Sequence, residues 1–254
     1  MTLRHSFLPT HEGRTAVVTG ASRGIGQAVC RQLAERGADV IGIDLLDLAE
    51  TRQLVESAGG RWLGIEADVS DPESVSAAAE TVRQTREDVH VLVNNAGIFP
   101  AIAFEDMTFS DWRRILGVNL DSQFLMAQAF TPLMKASGRG RIVNLTSGSV
   151  SINLPGYVGY KASKLGSVGL TRALASDVAE YGITVNAVSP ALTRTPGTIE
   201  EGTVAILDTI AGMQAIKKVA EPDDVVGVIL FLSSDDSYFV TGQTIYSDGG
   251  FVYP

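Results

Sequence analysis

The sequence predicts an α/β protein with a doubly wound parallel sheet of about seven strands and helices on both faces. Short apolar runs rich in valine and isoleucine alternate with longer segments of helical periodicity. Most of these runs are apolar on both faces, which is typical of strands that helices cover on each side of a parallel sheet. The pattern continues without a linker or an internal repeat. We therefore expect one domain over residues 13–254, after a leader over residues 1–12.

Seven runs are predicted as strands because each is short and mostly apolar. In chain order they are Ala16–Thr19, Val40–Asp44, Trp62–Asp68, Val89–Asn94, Arg141–Thr146, Thr184–Ser189 and Thr244–Ser247. If crossovers join them, as the intervening lengths allow, the carboxyl ends of the strands meet at one edge of the sheet. Ligands bind at that edge in folds of this class.

Five of the intervening segments are predicted as helices. In the first, Ile25, Val29 and Leu33 recur at helical spacing, and in the second Pro72 follows a plausible N-cap. In chain order the five are Gly24–Arg36, Pro72–Arg83, Asp111–Ala136, Tyr157–Tyr181 and Pro222–Ser233. Residues 191–219 break the alternation with threonines, a proline and glycines. We interpret them as a partly helical insertion that covers the substrate as a lid.

Composition and charge exclude several classes of function. Twenty basic and 29 acidic residues give a net charge of -9, which disfavours nucleic acids and anionic lipid as partners. The longest strongly apolar run, Val225–Leu232, is far shorter than the ~20 residues of a membrane span. A single cysteine, Cys30, cannot form an internal disulfide, and the three histidines lack metal-ligand spacing. We expect a cytoplasmic protein without a bound metal and without a membrane partner.

A glycine-rich turn follows the first predicted strand. Its residues, TGASRGIG over positions 19–26, lie directly between that strand and a predicted helix. Glycines let the backbone turn tightly and approach an anion, and the helix N-terminus offers free N–H groups. The turn therefore predicts a dinucleotide site. Its candidate cofactor-binding residues are Gly20, Ser22, Arg23, Gly24, Ile25 and Gly26.

The choice of coenzyme depends on two residues of opposite charge. Asp44 ends the second predicted strand, 18 residues beyond Gly26 and near the ~20-residue offset of an acid that binds the adenosine ribose. A carboxylate there would repel a 2′-phosphate, so we predict NAD, with the neighbouring Leu45 also at the cofactor. Arg23 leaves NADP possible, because a cation in the turn could meet that phosphate.

The ends of the third and fourth predicted strands also belong to the candidate cofactor site. Asp68 could accept a hydrogen bond from the adenine amino group, with Val69 beside it, although a turn residue is an equal alternative. Small residues after the fourth strand would let the backbone pass close to the cofactor. The candidates there are Asn95, Ala96 and Gly97, and Asn94 could instead belong to an ordinary turn.

Tyr160 and Lys164 are the candidate reacting groups. They are four residues apart in a predicted helix and therefore share a face. An ammonium group near a phenol stabilises the phenolate and lowers its pKa, which makes tyrosine a usable general acid or base. Ser147, after the fifth predicted strand, could hold the substrate oxygen. Asn119 could order a water molecule that links Lys164 to solvent, or could be a surface residue.

Together these motifs resemble the short-chain dehydrogenase/reductase family over nearly the whole chain after about residue 12. The matching segments are TGASRGIG, Asp68-Val69, NNAG at 94–97, Asn119, Ser147 in RIVNLTS, YKASK at 160–164 and TGQTIYSDGG at 241–250. The resemblance implies a Rossmann-type single domain with a dinucleotide cofactor. It also implies a catalytic tetrad of Asn119, Ser147, Tyr160 and Lys164. In that family the serine positions the substrate, the tyrosine transfers the proton and the lysine also binds the nicotinamide ribose.

The resemblance has one departure, after the sixth predicted strand. Pro190-Ala191 stands where the family usually has Pro-Gly, so the methyl group of Ala191 would tighten the nicotinamide pocket. The cofactor-binding residues implied for this segment are Pro190, Leu192, Thr193 and Thr195.

The segments over residues 94–130 and 241–254 are also similar, more weakly, to bacterial NAD-dependent dehydrogenases of aryl secondary alcohols and of pyridoxal. Candidate substrate residues are mostly apolar, which favours a hydrophobic alcohol or ketone, although several could be core or interface residues. They are Phe99, Ile102, Ser147, Ser149, Asn153, Tyr157, Leu192 and Met213.

The resulting prediction is an oxidoreductase that transfers a hydride between NAD(H) and a secondary alcohol or ketone, with Tyr160 as general acid/base. An NADPH-dependent 3-oxoacyl-thioester reductase is the alternative within the same family. A nucleotide-sensing scaffold without catalysis is the alternative from another class. Resemblance to the family further implies a homotetramer assembled through the helices predicted at 111–136 and 157–181.

Overall fold

Seven parallel strands form one sheet in the order β3-β2-β1-β4-β5-β6-β7. The computed structural model describes residues 10–253. The strands are β1 Thr15–Thr19, β2 Asp39–Asp44, β3 Trp62–Glu66, β4 Val91–Asn94, β5 Arg141–Leu145, β6 Thr184–Pro190 and β7 Thr244–Ser247. The order reverses at β1, which pairs with β2 on one side and β4 on the other. This reversal opens a crevice at the carboxyl ends of β1 and β4. The predicted fold class is therefore confirmed.

Helices cover both faces of the sheet. Within residues 10–253 they are α1 Gly24–Ala34, α2 Ala49–Ser57, α3 Pro72–Thr85, α4 Phe109–Leu116, α5 Ser122–Ser137, α6 Val158–Val178, α7 Pro196–Glu200, α8 Val204–Met213 and α9 Pro222–Ser233. Each face has its own apolar core. Phe130 of α5 lies in the core of one face, and Leu33 of α1 lies in the core of the other. The sheet is thus buried on both sides, as its apolar strands require.

The structure corrects two helix predictions. Helix α2 was not predicted, because Thr51 and Val55 are its buried residues and they do not make a visible apolar stripe. The helix predicted over 111–136 is two helices, α4 and α5, joined by a π-helical turn over Gly117–Asp121. That turn contains the buried Asn119, whose side chain bonds to the loop after β4, as described below. A wider turn of this type is common at functional sites.

Part of the predicted leader packs against the domain. Residues 1–9 lie outside the described residues, whereas His11 is fully buried. Its Nε2 atom lies 2.9 Å from the hydroxyl oxygen of Ser233 in α9, and its backbone N–H donates to the carbonyl of Arg36. Residue 11 of the predicted leader thus packs against the domain, and the division into residues 1–12 and 13–254 stays a prediction.

Burial of His11 predicts a loss of stability in mild acid. Burial is the main cause that lowers the pKa of His11 from 6.5 to about 4, and Arg14 adds to it. The unfolded chain therefore binds this proton before the folded chain does, so stability is full above about pH 6.5 and falls as the pH approaches about 4. The shift corresponds to at most about 3 kcal/mol. We expect His11→Gln to unfold in urea with a smaller loss of stability between about pH 7.5 and pH 5 than the parent. An equal loss in both proteins would contradict the assignment.

Other sequence expectations concern the cysteine, metals and membranes. Cys30 is buried, and burial raises the pKa of its thiol, so it stays protonated and packs as a small apolar residue. Over residues 10–253 no three His, Cys, Asp or Glu side chains come together as metal ligands. In the same part of the chain, none of the helices has both the length and the hydropathy to cross a bilayer.

Candidate active site

Side-chain hydrogen bonds join the carboxyl ends of β1 and β4 at the crevice. The hydroxyl oxygen of Thr19 accepts from the backbone N–H groups of Asn95 and Ala96, each at 3.0 Å. The Asn95 amide nitrogen donates to the carbonyls of Thr19 and Gly20 at 2.9 and 3.1 Å. These bonds fix the glycine-rich turn against the start of the loop after β4.

The glycine-rich turn fits a bound pyrophosphate. Gly20 and Gly24 have φ of +64° and +61°, a region that glycine adopts at no steric cost. A Cβ on Gly26 would overlap the carbonyl oxygen of Gly20 and lie 2.6 Å from the Asn95 amide nitrogen. Helix α1 begins there without a side-chain cap and without an acid in its first turn, so its N–H groups remain for an anion. The buried hydroxyl of Ser22 has no hydrogen-bond partner in the structure, which agrees with a site for a polar ligand.

Asp44 lies at the end of β2 beside this turn, where a ribose-binding acid was expected. Its Oδ2 atom accepts from the backbone N–H of Ser22 at 2.9 Å, and its Oδ1 atom accepts from that of Leu46 at 3.0 Å. Asp44 therefore also holds the backbone of the turn. Leu45 is 60% exposed at the same edge. Because carboxylate oxygens accept more than one hydrogen bond each, Asp44 keeps capacity for ribose hydroxyls.

Asp68, after β3, and Asn94, at the end of β4, have different structural roles. Asp68 accepts from both the backbone N–H and the hydroxyl of Ser70, at 2.8 and 2.6 Å, which are the contacts of a turn. The adenine contact therefore stays a prediction, and Val69 is buried beside it. Asn94 donates from its amide nitrogen to the side-chain oxygen of Asn144 at 2.9 Å. It thus joins β4 to β5 rather than forming a turn.

Lys164 is buried in α6, with 4% of its surface exposed. Its Nζ atom donates to the carbonyl of Leu145, the last residue of β5, at 2.8 Å. The hydroxyl of Thr146 donates to the backbone carbonyl of Lys164 at 2.9 Å, so the end of β5 holds both parts of the residue. Burial lowers the pKa of the Lys164 amine to about 8. A Cβ on Gly97 would lie 3.0 Å from the Oδ1 atom of Asn119, which is tighter than an ordinary contact, and 3.5 Å from Nζ.

Tyr160 and Ser147 meet at the mouth of the crevice. Burial raises the pKa of the Tyr160 hydroxyl, and a hydrogen bond to Ser147 acts in the opposite direction. Lys164 is not among the groups that shift this pKa in the structure, so the lowering expected from it stays a prediction. The Lys164 ammonium lies 5.9 Å from the centre of the tyrosine ring and bonds to the Leu145 carbonyl instead. Ser147 in turn donates to the hydroxyl of Ser149 at 3.0 Å.

Asn119 holds the loop after β4. Its Oδ1 atom accepts from the backbone N–H of Ile98 at 2.8 Å, and its Nδ2 atom donates to the carbonyl of Ile98 at 2.8 Å and to the Ser163 hydroxyl at 3.1 Å. Asn119 is therefore fully buried between Ile98 and Ser163 of α6, and it is not a surface residue. The water relay expected for it stays a prediction.

A cavity of about 180 Å³ opens in front of Tyr160. Its lining includes five of the predicted substrate residues, namely Phe99, Ser147, Ser149, Tyr157 and Leu192. Ile102, Asn153 and Met213 are not among its lining residues, and their contact with substrate stays a prediction. Met213 is 62% exposed at the end of α8, and Asn153 is exposed in the loop before α6. The predicted cofactor residues at the same cavity are Ile25, Pro190, Leu192, Thr193 and Thr195.

Several apolar residues of the cavity were missed in the sequence. They are Ile152, Leu154, Ile206, Ile210 and Phe251. Ile206 and Ile210 are four residues apart in α8, a spacing that could have shown that they share a face. For Phe251, near the end of the chain, no local pattern points to the cavity. Every residue that lines the cavity is uncharged.

The insertion over residues 191–219 lies against this cavity. It contains the short helices α7 and α8, and seven of its residues line the cavity, namely Ala191, Leu192, Thr193, Thr195, Thr203, Ile206 and Ile210. Thr195 caps α7, since its hydroxyl accepts from the backbone N–H of Thr198 at 3.2 Å. The role of the insertion as a lid over the substrate stays a prediction.

Comparisons with known proteins agree with this geometry. A family model described as enoyl-(acyl carrier protein) reductase matches residues 20–252. The chain is 36% identical to a hydroxy(phenyl)methylsuccinyl-CoA dehydrogenase subunit of Thauera aromatica, with 94% of this chain and 96% of the relative covered. It is 34% identical to the 3-oxoacyl-(acyl-carrier-protein) reductase of Escherichia coli, with 94% and 97% covered.

A solved structure gives the same result for the fold. It is described as a candidate NAD(P)-dependent gluconate 5-dehydrogenase from Beutenbergia cavernae with NADP bound at low occupancy. It has a TM-score of 0.89 and 38% identity, with 94% of this chain and 97% of that chain covered. The matching sheet, the glycine-rich turn and these relatives lead to one conclusion. The chain belongs to the short-chain dehydrogenase/reductase family, whose members are oxidoreductases.

Proposed function

We propose that this protein oxidises an uncharged, apolar secondary alcohol or reduces the corresponding ketone, with NAD(H) as its coenzyme. The observation that carries the proposal is the hydroxyl of Tyr160 at an apolar, uncharged cavity, hydrogen-bonded to Ser147. The glycine-rich turn of the dinucleotide site lies next to that cavity, since Ile25 belongs to both. A hydrophobic lining favours a hydrophobic substrate, including an aryl one.

The chain supplies position and proton transfer. Ser147 would donate a hydrogen bond to the substrate oxygen and hold it at the Tyr160 hydroxyl. In the oxidative direction Tyr160 would act as general base and take the proton of the alcohol. Lys164 would supply positive charge behind that proton transfer from its fixed place at the Leu145 carbonyl. When bound, the nicotinamide coenzyme supplies the hydride acceptor or donor.

Asp44 supports NAD over NADP. Its carboxylate is tied to the backbone of the glycine-rich turn, at the point where the adenosine ribose of a dinucleotide would lie. A negative charge there attracts ribose hydroxyls and repels a 2′-phosphate.

An NADPH-dependent 3-oxoacyl-thioester reductase is the second candidate. It is favoured by the 34% identity to the Escherichia coli reductase over nearly the whole of both chains. The apolar cavity would accept the acyl part of such a substrate as well. Activity confined to thioesters and NADPH would replace the first proposal by this one.

The absorbance of the reduced nicotinamide tests the proposal directly. The purified chain is assayed with NAD(H) and with NADP(H) on aryl and alkyl secondary alcohols and ketones, on 3-oxoacyl thioesters and on sugar acids. We expect turnover of the uncharged apolar compounds with NAD(H), and little turnover of sugar acids because no charged residue lines the cavity. Nucleotide binding without turnover of any compound would favour the nucleotide-sensing scaffold.

We also propose that the protein is a homotetramer. Phe124 of α5 and Leu165 of α6 are each about half exposed, and α5 and α6 fall within the two segments expected to form the contact. Light scattering at micromolar concentration is expected to give four times the 26.9 kDa mass of one chain. A monomeric mass would contradict the expectation.

A further inference from the structure

An ion pair connects the glycine-rich turn to the lid. Arg23 directly precedes helix α1, and Glu200 is the last residue of α7 in the insertion over 191–219. Both terminal nitrogens of the guanidinium bind the carboxylate: Nη1 donates to Oε1, and Nη2 donates to Oε2 at 2.7 Å. This bidentate geometry is the strongest hydrogen-bonded arrangement of an arginine and a carboxylate. Arg23, which the sequence leaves as a possible ligand of the 2′-phosphate of NADP, is thus bound to Glu200 of the insertion.

Arg23 has a second carboxylate nearby. The backbone N–H of the preceding residue, Ser22, bonds to Asp44, and both Glu200 and Asp44 raise the pKa of the Arg23 guanidinium. Arg23 is therefore paired with Glu200 and lies in the field of Asp44. The local charge of these three groups is negative, which opposes a further phosphate.

We propose that Glu200 is a residue that determines coenzyme specificity, because it occupies Arg23 and so withholds it from a 2′-phosphate. The inference deepens the proposed preference for NAD and rests on it. A 2′-phosphate that binds the same two N–H groups of Arg23 would have to displace Glu200, and at any other N–H of Arg23 it would face the charges of both Glu200 and Asp44. NAD lacks that phosphate, so its binding leaves the pair intact.

Asp44 has to be neutralised before the effect of Glu200 can be measured cleanly. Asp44→Asn removes the charge but keeps an acceptor for the backbone N–H of Ser22, whereas alanine would release the turn. In the Asp44→Asn background, dissociation constants of NADH and NADPH are measured by nucleotide fluorescence, which needs no substrate. Adding Glu200→Gln is expected to tighten NADPH about three- to tenfold and to change NADH by less than about twofold.

Two further variants make the test specific to Arg23. Glu201→Gln removes the same charge from the next residue of the lid, outside the ion pair, and is expected to leave the ratio of the two constants unchanged. Arg23→Ala, combined with Asp44→Asn and Glu200→Gln, is expected to abolish the gain for NADPH. The inference is overturned if Glu200→Gln changes both nucleotides equally, or if the gain persists without Arg23. If the parent binds neither nucleotide, the proposed function itself fails and the inference fails with it.

Discussion

Tyr160→Phe is expected to lower kcat/KM by about two to four orders of magnitude on any substrate that the parent turns over. The change removes one oxygen atom, the group that would exchange a proton with the substrate, and leaves the ring in its contacts with Phe99 and Tyr157. Affinity for NADH, measured by fluorescence, should change by less than about twofold, because no step of coenzyme binding needs the hydroxyl.

Tyr238→Phe is the matched control for this variant. Tyr238 is 71% exposed and lies after α9, so removing its hydroxyl should leave turnover unchanged. Full activity of Tyr160→Phe on a parent substrate would remove Tyr160 as the proton-transfer group. The fold assignment would survive that result, but the mechanism proposed above would not.

Gly26→Ala is expected to weaken NADH binding by at least about a hundredfold. The new methyl group would overlap the backbone carbonyl of Gly20 and crowd the amide of Asn95, two groups that cannot move without opening the turn. Opening it would also break the bond from Asn95 to the Gly20 carbonyl. A loss of more than two kcal/mol of unfolding free energy is ordinary for overpacking of about this severity.

Gly227→Ala is the control for a glycine substitution as such. Gly227 lies inside α9, and a Cβ there meets nothing within 4 Å, so alanine should be neutral or slightly stabilising. Titration of both variants with NADH, together with thermal unfolding, separates a binding defect from a folding defect. Parent-like affinity in Gly26→Ala would contradict the proposed pyrophosphate cradle.

The sheet was predictable because its signal is local. Val40–Ile43 has no polar side chain on either face, and such a run is typical of a parallel strand that helices cover on both sides. Helix α2 is not predicted from the sequence, because it lies on the surface with two buried residues and has almost no apolar stripe. The break between α4 and α5 is not visible in the sequence for a different reason. It depends on a contact between Asn119 and Ile98, 21 positions apart, which periodicity does not report.

The candidate site likewise has residues that local sequence position predicts and residues that depend on contacts between distant parts of the chain. Gly26, Ser147 and Tyr160 lie at strand ends or at helix starts, so sequence position alone places them at one edge of the sheet. The cavity wall was predicted less well, since Met213 follows Ile210 by three residues in α8 and yet points to solvent. Nothing in the sequence marks Glu200 as a residue of the site. Its pairing with Arg23 joins residues 177 positions apart, and a single sequence contains no signal for it.

The attachment of Lys164 to the end of β5 has a consequence for how this protein can acquire new substrates. Its ammonium and its backbone are both held at the end of β5, by the carbonyl of Leu145 and the hydroxyl of Thr146. The wall of the cavity, by contrast, is built from side chains such as Ile206 and Ile210 on a surface insertion. Mutational libraries confined to that insertion should therefore alter which compounds are accepted while leaving the proposed reacting groups in place, so that substrate range and proton transfer diversify independently under selection.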